Sequence, residues 1–246
     1  MKSLIKNIAN LFGYDIVTIQ KGNIRNSIYK SYLHLKELGI NPKTIIDVGV
    51  ANGTQDLYKA FPDSYYLLIE PSFEFETSII GILKLVEGEY ILAAAGNENK
   101  EIEFHFHHDH PSGSSLYNET MGKAADGTPR RVNMFRIDDY VKGKNFASPY
   151  LLKADVQGAE LLVLDGCTEI LPNVEIIVLE VSFFQFMKGQ PEFYEVVIYM
   201  KKIGFVAYDI ELAWNRPLDN ALGQLNIVFV KENSPLRANH SYSSAK

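Results

Sequence analysis

Apolar and polar positions along this chain fall into two rhythms. Thr44 to Val48, Tyr65 to Ile69, Tyr90 to Ala95, Tyr150 to Ala154 and Val174 to Glu180 are short, nearly unbroken apolar runs. That is the pattern of strands buried on both faces. Between them, apolar residues recur every three or four positions, which predicts helices. These are Thr54 to Phe61, ended by Pro62, then Phe73 to Leu85, Gly158 to Gly166, and Glu192 to Ile203, stopped by Gly204. Residues 1 to 40 also read as helical, with Ile5, Ile8, Ala9 and Phe12 and later Ile28, Tyr32, Leu35 and Leu38 in step, closed by Gly39 and Pro42. Phe205 to Asp209 and Leu225 to Val230 form a final hairpin. Strands alternating with helices predict an α/β fold, a doubly wound and mostly parallel sheet with an antiparallel C-terminal strand and an N-terminal helical extension. The expected organisation is a helical segment over 1–40 packed on the core, one domain over 41–232 and a disordered tail over 233–246.

One segment departs from this rhythm. Glu101 to His107 alternates strictly, with Ile102, Phe104 and Phe106 on one face and Glu103, His105 and His107 on the other, which predicts an antiparallel strand with one wet face. Val132 to Ile137 resumes as a strand. The polar stretch from His108 to Thr128, about 20 residues, exceeds ordinary connections and predicts a lid or a disordered loop.

Composition narrows the function classes. With 246 residues, 46% of them hydrophobic, the chain can bury a full core as one domain. A net charge of -6 gives no general attraction to a phosphate backbone, so nucleic acid is excluded as the expected partner. A small molecule or glycan is expected instead, and a homo-oligomer is compatible with this composition. The single Cys167 suits a reducing compartment, and no run approaches the ~20 apolar residues of a membrane span, so the expected location is cytoplasmic. Met1 to Phe12 mixes two lysines with a short apolar stripe, which reads as packing on the core or, alternatively, as rest on a membrane or partner.

The first half holds a nucleoside-binding unit. Lys43-Thr-Ile-Ile-Asp-Val-Gly-Val-Ala-Asn-Gly53 runs from a strand into a turn, and Tyr65-Tyr-Leu-Leu-Ile-Glu70 ends in a carboxylate 23 residues after Asp47. Gly49 and Gly53 let backbone approach a ligand, while Glu70 can accept hydrogen bonds from both ribose hydroxyls. The G-x-G-x-x-G spacing that seats a pyrophosphate is missing, and Asp47 suits a cation better than an anion. A nucleoside carrying a cation in place of phosphates is S-adenosylmethionine. Asn52 is either an amide for the methionine carboxylate or an ordinary turn residue.

The second half carries Leu151-Leu-Lys-Ala-Asp-Val-Gln-Gly-Ala-Glu-Leu-Leu-Val-Leu-Asp-Gly166. This resembles the signature of FkbM-type methyltransferases, Lys-x-Asp-Val-Glu-Gly-x-Glu. Asp47-Val-Gly49 with Gly53, Ile69-Glu-Pro71, Gly113-Ser-Ser-Leu116, Arg136-Ile-Asp-Asp-Tyr140, Val178-Leu-Glu-Val181 and Ile203-Gly-Phe205 fall in the same order as in that family, over roughly residues 43 to 231. The resemblance implies a class I, Rossmann-like S-adenosylmethionine-dependent fold and O-methylation of sugar or polyketide hydroxyls. It also adds Pro71 and Ser115 to the cofactor-binding candidates. Where the family has Glu, this chain has Gln157, which can serve neither as a base nor as a metal charge.

Asp155 follows an apolar strand, where an unpaired buried carboxylate would be costly, so it is expected to face the cleft. There it would touch the cofactor, orient the acceptor hydroxyl or ligate a hard divalent ion. Glu160 pairs with Lys153 or caps a turn. His105, His107, His108, Asp109 and His110 match no standard zinc spacing, and whether any metal is used stays open. His108 or His110, beside Gly113-Ser-Ser115, is a candidate general base, the alternative being a wet strand edge. Trp214, with Asn215 and Arg216, could stack on a sugar ring or simply pack at a rim. The expected activity is S-adenosylmethionine-dependent O-methylation of a sugar or glycan hydroxyl. The alternatives are a nicotinamide-dependent oxidoreductase and an inactive cofactor-binding protein.

Overall fold

A computed structural model of the chain describes residues 27–243, so the expectations for Met1 to Phe12 lie outside the described residues. In chain order the elements are α1 (Ile28–Glu37), β1 (Thr44–Val48), α2 (Gln55–Ala60), β2 (Tyr65–Ile69), α3 (Glu76–Ile82), β3 (Gly88–Ile91), β4 (Ala94–Ala95) and β5 (Lys100–Phe106). Then follow β6 (Thr128–Phe135), α4 (Ile137–Val141), β7 (Tyr150–Ala154), α5 (Glu160–Asp165), β8 (Val174–Ser182), α6 (Phe193–Lys202), β9 (Phe205–Asn215) and β10 (Leu222–Lys231).

Seven strands make one sheet in the order β3-β2-β1-β7-β8-β10-β9. The first five are parallel, and β10 lies antiparallel between β8 and β9. Continuous apolar runs are what such central strands need, because consecutive side chains point to opposite faces and both faces are covered. In β1 the alternation is direct. Ile46 and Val48 join Leu152, Val163 and Met200 on the side of α4, α5 and α6, while Ile45 joins Tyr66, Leu68, Leu57 and Tyr32 on the side of α1, α2 and α3. Ile45 and Ile46 are fully buried, each stabilising the sheet by about 1.5–3 kcal/mol relative to exposure. The sheet grows outward from β1 through β2 to β3 and then restarts at β7 on the other side of β1. The carboxyl ends of β1 and β7 therefore flank the switch point where open α/β sheets bind ligands.

Three expectations need correction. The run from Tyr90 to Ala95 is two strands, because the chain bends at Leu92 and Ala93. β4 then leaves the main sheet for a three-stranded one of order β4-β6-β5. The supposedly wet face of β5 is not wet at His105, which is buried, because the following loop folds back on it. His105 N–H donates to Ser115 O at 2.8 Å and Ser115 N–H to His105 O at 3.2 Å. That loop is also anchored further on, where Lys188 N–H donates to Asn118 O and Thr120 N–H to Phe186 O. Finally, the tail holds a 3-10 turn over Pro235–Arg237, started by the Ser234 hydroxyl accepting from Leu236 N–H, with Leu236 against the apolar layer.

Candidate active site

The switch point is built by close backbone approach. Gly49 adopts φ 77° just after β1, and a Cβ there would lie 1.9 Å from the Asp155 carbonyl oxygen. The chains leaving β1 and β7 thus touch at a place only glycine permits. Gly53 adopts φ 97° and leaves no room beside Ile82. Both glycines serve chain-to-chain packing, and Gly49 also lines the cavities on either side of it.

Those two cavities share Gly49, Ala51, Ser112 and Asp155. The narrower, about 50 Å³, is lined by Glu70, Pro71, Phe75, Ala94, Phe104 and Leu116. The wider, about 480 Å³, is lined by Asn52, Gln55, Lys153, Trp214 and Asn226, with Gly53 and Thr54 on the turn. Glu70, directly after β2, accepts from Ala51 N–H through Oε2 and from Ser72 N–H through Oε1, both at 2.9 Å. Burial pushes its carboxyl above the usual range, against the pull of those two N–H groups. Each oxygen keeps a further lone pair.

Asp47 and Asp155 are bridged by Lys153, buried in the middle of the sheet edge. Its Nζ lies 3.4 Å from Asp47 Oδ1 and 3.7 Å from Asp155 Oδ2. Burial works against the ammonium charge, and Asp47 and Asp155 more than reverse it, holding the lysine above its usual range. Asp47 lines neither cavity. Its oxygens are engaged by Lys153, by the Tyr58 hydroxyl at 2.6 Å and by the Thr54 hydroxyl at 3.4 Å. A direct contact with a cationic ligand therefore has no free face of Asp47 to use. Asp155, in contrast, keeps 31% of its side chain exposed.

A second acidic group converges on Asp155. Gln157 Nε2 donates to Asp155 Oδ1 at 3.1 Å and to Glu180 Oε2 at 3.0 Å, and Gln224 Nε2 donates to the same Glu180 oxygen at 2.9 Å. Burial, then the Asp155 and Glu160 charges, hold Glu180 well above the usual carboxylate range. Glu160 caps the turn: its Oε1 accepts from Val156 and Gly158 N–H groups at 3.0 and 3.2 Å, and burial pushes it up to about 7. Ser115, fully buried, donates to Gln157 O at 2.8 Å and accepts from Tyr117 N–H, so it fastens the loop to the turn rather than lining either cavity.

His108 and His110 sit apart from this cluster. Both are exposed and line neither cavity. His108 stands edge-on to Phe106 at 5.0 Å, and the His110 ring covers Gly113. Neither makes a hydrogen bond or ion pair with Asp155, whose partners are Gln157 and Lys153. Asn52 accepts from the Ser78 hydroxyl at 3.1 Å on the cavity rim. Glu180, two residues before the end of β8, was read as part of the motif Val178-Leu-Glu-Val181 and not as a site residue. Asn226, buried in the wide cavity's wall with no hydrogen-bond partner for its Oδ1 among the described residues, had no sequence signal. Among the described residues no group of three or more His, Cys, Asp or Glu side chains converges to hold a metal ion, and no helix is long and apolar enough to cross a membrane.

The family model described as methyltransferase FkbM domain matches residues 47–207, which contain Asp47, Glu70, Asp155 and Glu180. No curated protein sequence matches the chain. Solved structures that match include magnesium protoporphyrin IX methyltransferase from Synechocystis PCC 6803 with bound SAM, at 8% identity over 94% of this chain and 96% of that one, TM-score 0.46. Precorrin-6y C5,15-methyltransferase from Geobacter metallireducens GS-15 matches at 10% over 87% and 94%, TM-score 0.44. EvdMO1 matches at 11% over 94% of this chain, TM-score 0.43, and this chain spans 47% of its length.

Proposed function

We propose that this chain, which belongs to the FkbM methyltransferase family, takes a methyl group from S-adenosylmethionine and delivers it to a hydroxyl oxygen of a sugar or glycan intermediate. The observation that carries this reading is the place of Asp155, a partly exposed carboxylate on the wall common to two cavities of different character. The narrow cavity suits the nucleoside. Glu70 has lone pairs to spare for two ribose hydroxyls, and Phe75, Phe104 and Leu116 offer apolar faces to a base. At about 50 Å³ it holds only a few waters as it stands. Entry of a nucleoside therefore moves the segment from Ser112 to Leu116 outward. The wide cavity suits a polyhydroxylated acceptor, with the Trp214 ring for a sugar face and the amides of Asn52, Gln55 and Asn226 for hydroxyls.

When bound, the cofactor supplies a methyl carbon already activated by its sulfonium. What remains for the protein is alignment and removal of one proton. Asp155 orients the acceptor hydroxyl and takes its proton, with the Lys153 ammonium 3.7 Å from its Oδ2. Transfer of label from methyl-labelled S-adenosylmethionine to a panel of nucleotide sugars and glycans tests the reading. Label is expected in an alkali-stable methyl ether. Binding of S-adenosylhomocysteine with no transfer to any saccharide would favour an inactive cofactor binder, and tighter binding of NAD than of S-adenosylhomocysteine would overturn the cofactor.

A further inference from the structure

We propose that Gln157 is a positioning residue that ties Asp155 to Glu180, so that Asp155 carries the negative charge facing the acceptor while Glu180 holds a proton. Its catalytic meaning rests on the function proposed above, whereas the bridge itself does not. An amide nitrogen has two hydrogens, and Gln157 gives one to each carboxyl group, at 3.1 and 3.0 Å. With Gln224 also donating to Glu180 Oε2, Oε1 is left for the proton. On Asp155, Oδ1 is spent on Gln157, while Oδ2, paired with Lys153 at 3.7 Å but accepting no hydrogen bond, can meet the acceptor. As the methyl carbon joins the acceptor oxygen, the C–S electron pair stays on sulfur and the hydroxyl proton passes to Asp155 Oδ2.

The turn is held so that this amide cannot wander. Gln157 itself adopts φ 52°, a left-handed conformation that non-glycine residues keep only where the surroundings enforce it. Here Ser115 holds its carbonyl, and Glu160 holds the N–H groups on either side of it. Gly158, at φ 100°, has no room for a side chain beside Gln190. The charged groups acting on the pair are Lys153 from β7, Glu160 from α5 and the two carboxyls themselves. Lys153 lies 3.7 Å from Asp155, and Asp155 is open to solvent. Burial, with the Asp155 and Glu160 carboxylates beside it, makes Glu180 the group that retains a proton. A glutamate in place of Gln157 would remove the shared donor and add a further negative charge.

Carboxyl titration of the 13C-labelled protein by NMR tests the bridge without any acceptor, with Glu180 assigned by its loss in Glu180→Gln. Glu180 is expected to titrate well above the ordinary carboxylate range. Ordinary titration of Glu180 below about pH 5 would overturn the proposal. In Gln157→Glu, the added negative charge should move the acid limb of kcat to higher pH. Turnover at pH 7 should drop about tenfold or more, with S-adenosylhomocysteine affinity changed less than about threefold. The exchange variant Gln157→Glu with Glu180→Gln restores one amide between two carboxyls and should recover turnover to within about threefold of the starting protein. A residue that merely supports the fold would lower Tm, leave the acid limb in place and gain nothing from the exchange, and that result overturns the proposal. Failure of every saccharide to accept label would count against the proposed function, while the titration would still decide the bridge.

Discussion

Asp47 and Asp155 share one lysine and stand on neighbouring parallel strands, yet they are opposites in every other respect. Asp47 pairs in register with Lys153 inside the sheet, and its carboxylate is wholly buried among three donors. Asp155 lies one residue past the last of β7, where its N–H still donates to Val48 O while the side chain turns into a cavity. A displacement of two residues along a strand end separates a carboxylate that holds the sheet edge together from one that meets a ligand. Burial of the first is tolerated only because its partners are complete. The second keeps an unfilled oxygen, which is what a proton acceptor needs.

Substitutions should separate the two roles. Asp47→Asn leaves Lys153 buried with one partner fewer and should cost about 3–5 kcal/mol of folding stability in urea titrations. A loss below about 1 kcal/mol would mean that Asp155 alone satisfies the lysine. Asp155→Asn should lower turnover by 10²-fold or more, about 2.7 kcal/mol of transition-state stabilisation. Its stability should change far less than that of Asp47→Asn, and equal losses for the two variants would erase the distinction. Glu70→Gln keeps an acceptor but removes the charge, so calorimetry should show S-adenosylhomocysteine binding weaker by about 1–2 kcal/mol. Unchanged affinity would move the ribose elsewhere. The smallest effect lies in the loop of residues 108–128, whose amide hydrogen exchange should slow when cofactor binds. Equal protection with and without ligand would show that the loop does not close over the narrow cavity.

The sheet and its helices were legible because a strand covered on both faces reads as a nearly continuous apolar run, and β1, β2, β7 and β8 do so with only Asp47, Lys153, Glu175 and Glu180 as charged interruptions. Glu70 and Asp155 were legible for the complementary reason, as acids at the ends of such runs. Periodicity, however, says nothing of what a neighbouring segment will cover. His105 was read as wet because alternation fixes its face, and the pairing with Ser115 that buries it comes from residues ten positions later. Asp47 misled for lack of register, since its depth becomes visible only when β1 is set beside β7. Asp138 shows the same limit. In the sequence it stands only as part of the motif Arg136-Ile-Asp-Asp-Tyr140, but it is an anchor that accepts from Arg136, Thr168 and the N–H groups of Glu169 and Ile170. The pairing of Glu180 with Asp155 passes through a side chain in a left-handed turn, a conformation no residue pattern announces.

Trp214 is the chain's single tryptophan, and it stands in the wall of the wide cavity while lining none of the narrow one. All indole emission from the protein therefore originates at the surface proposed for the acceptor. At 41% exposure the ring is partly wet, so a body laid against it displaces water and shifts the emission toward the blue, whereas a nucleoside in the narrow cavity makes no contact with it. Occupancy of the acceptor side can thus be followed by light, separately from the cofactor side and with no label attached.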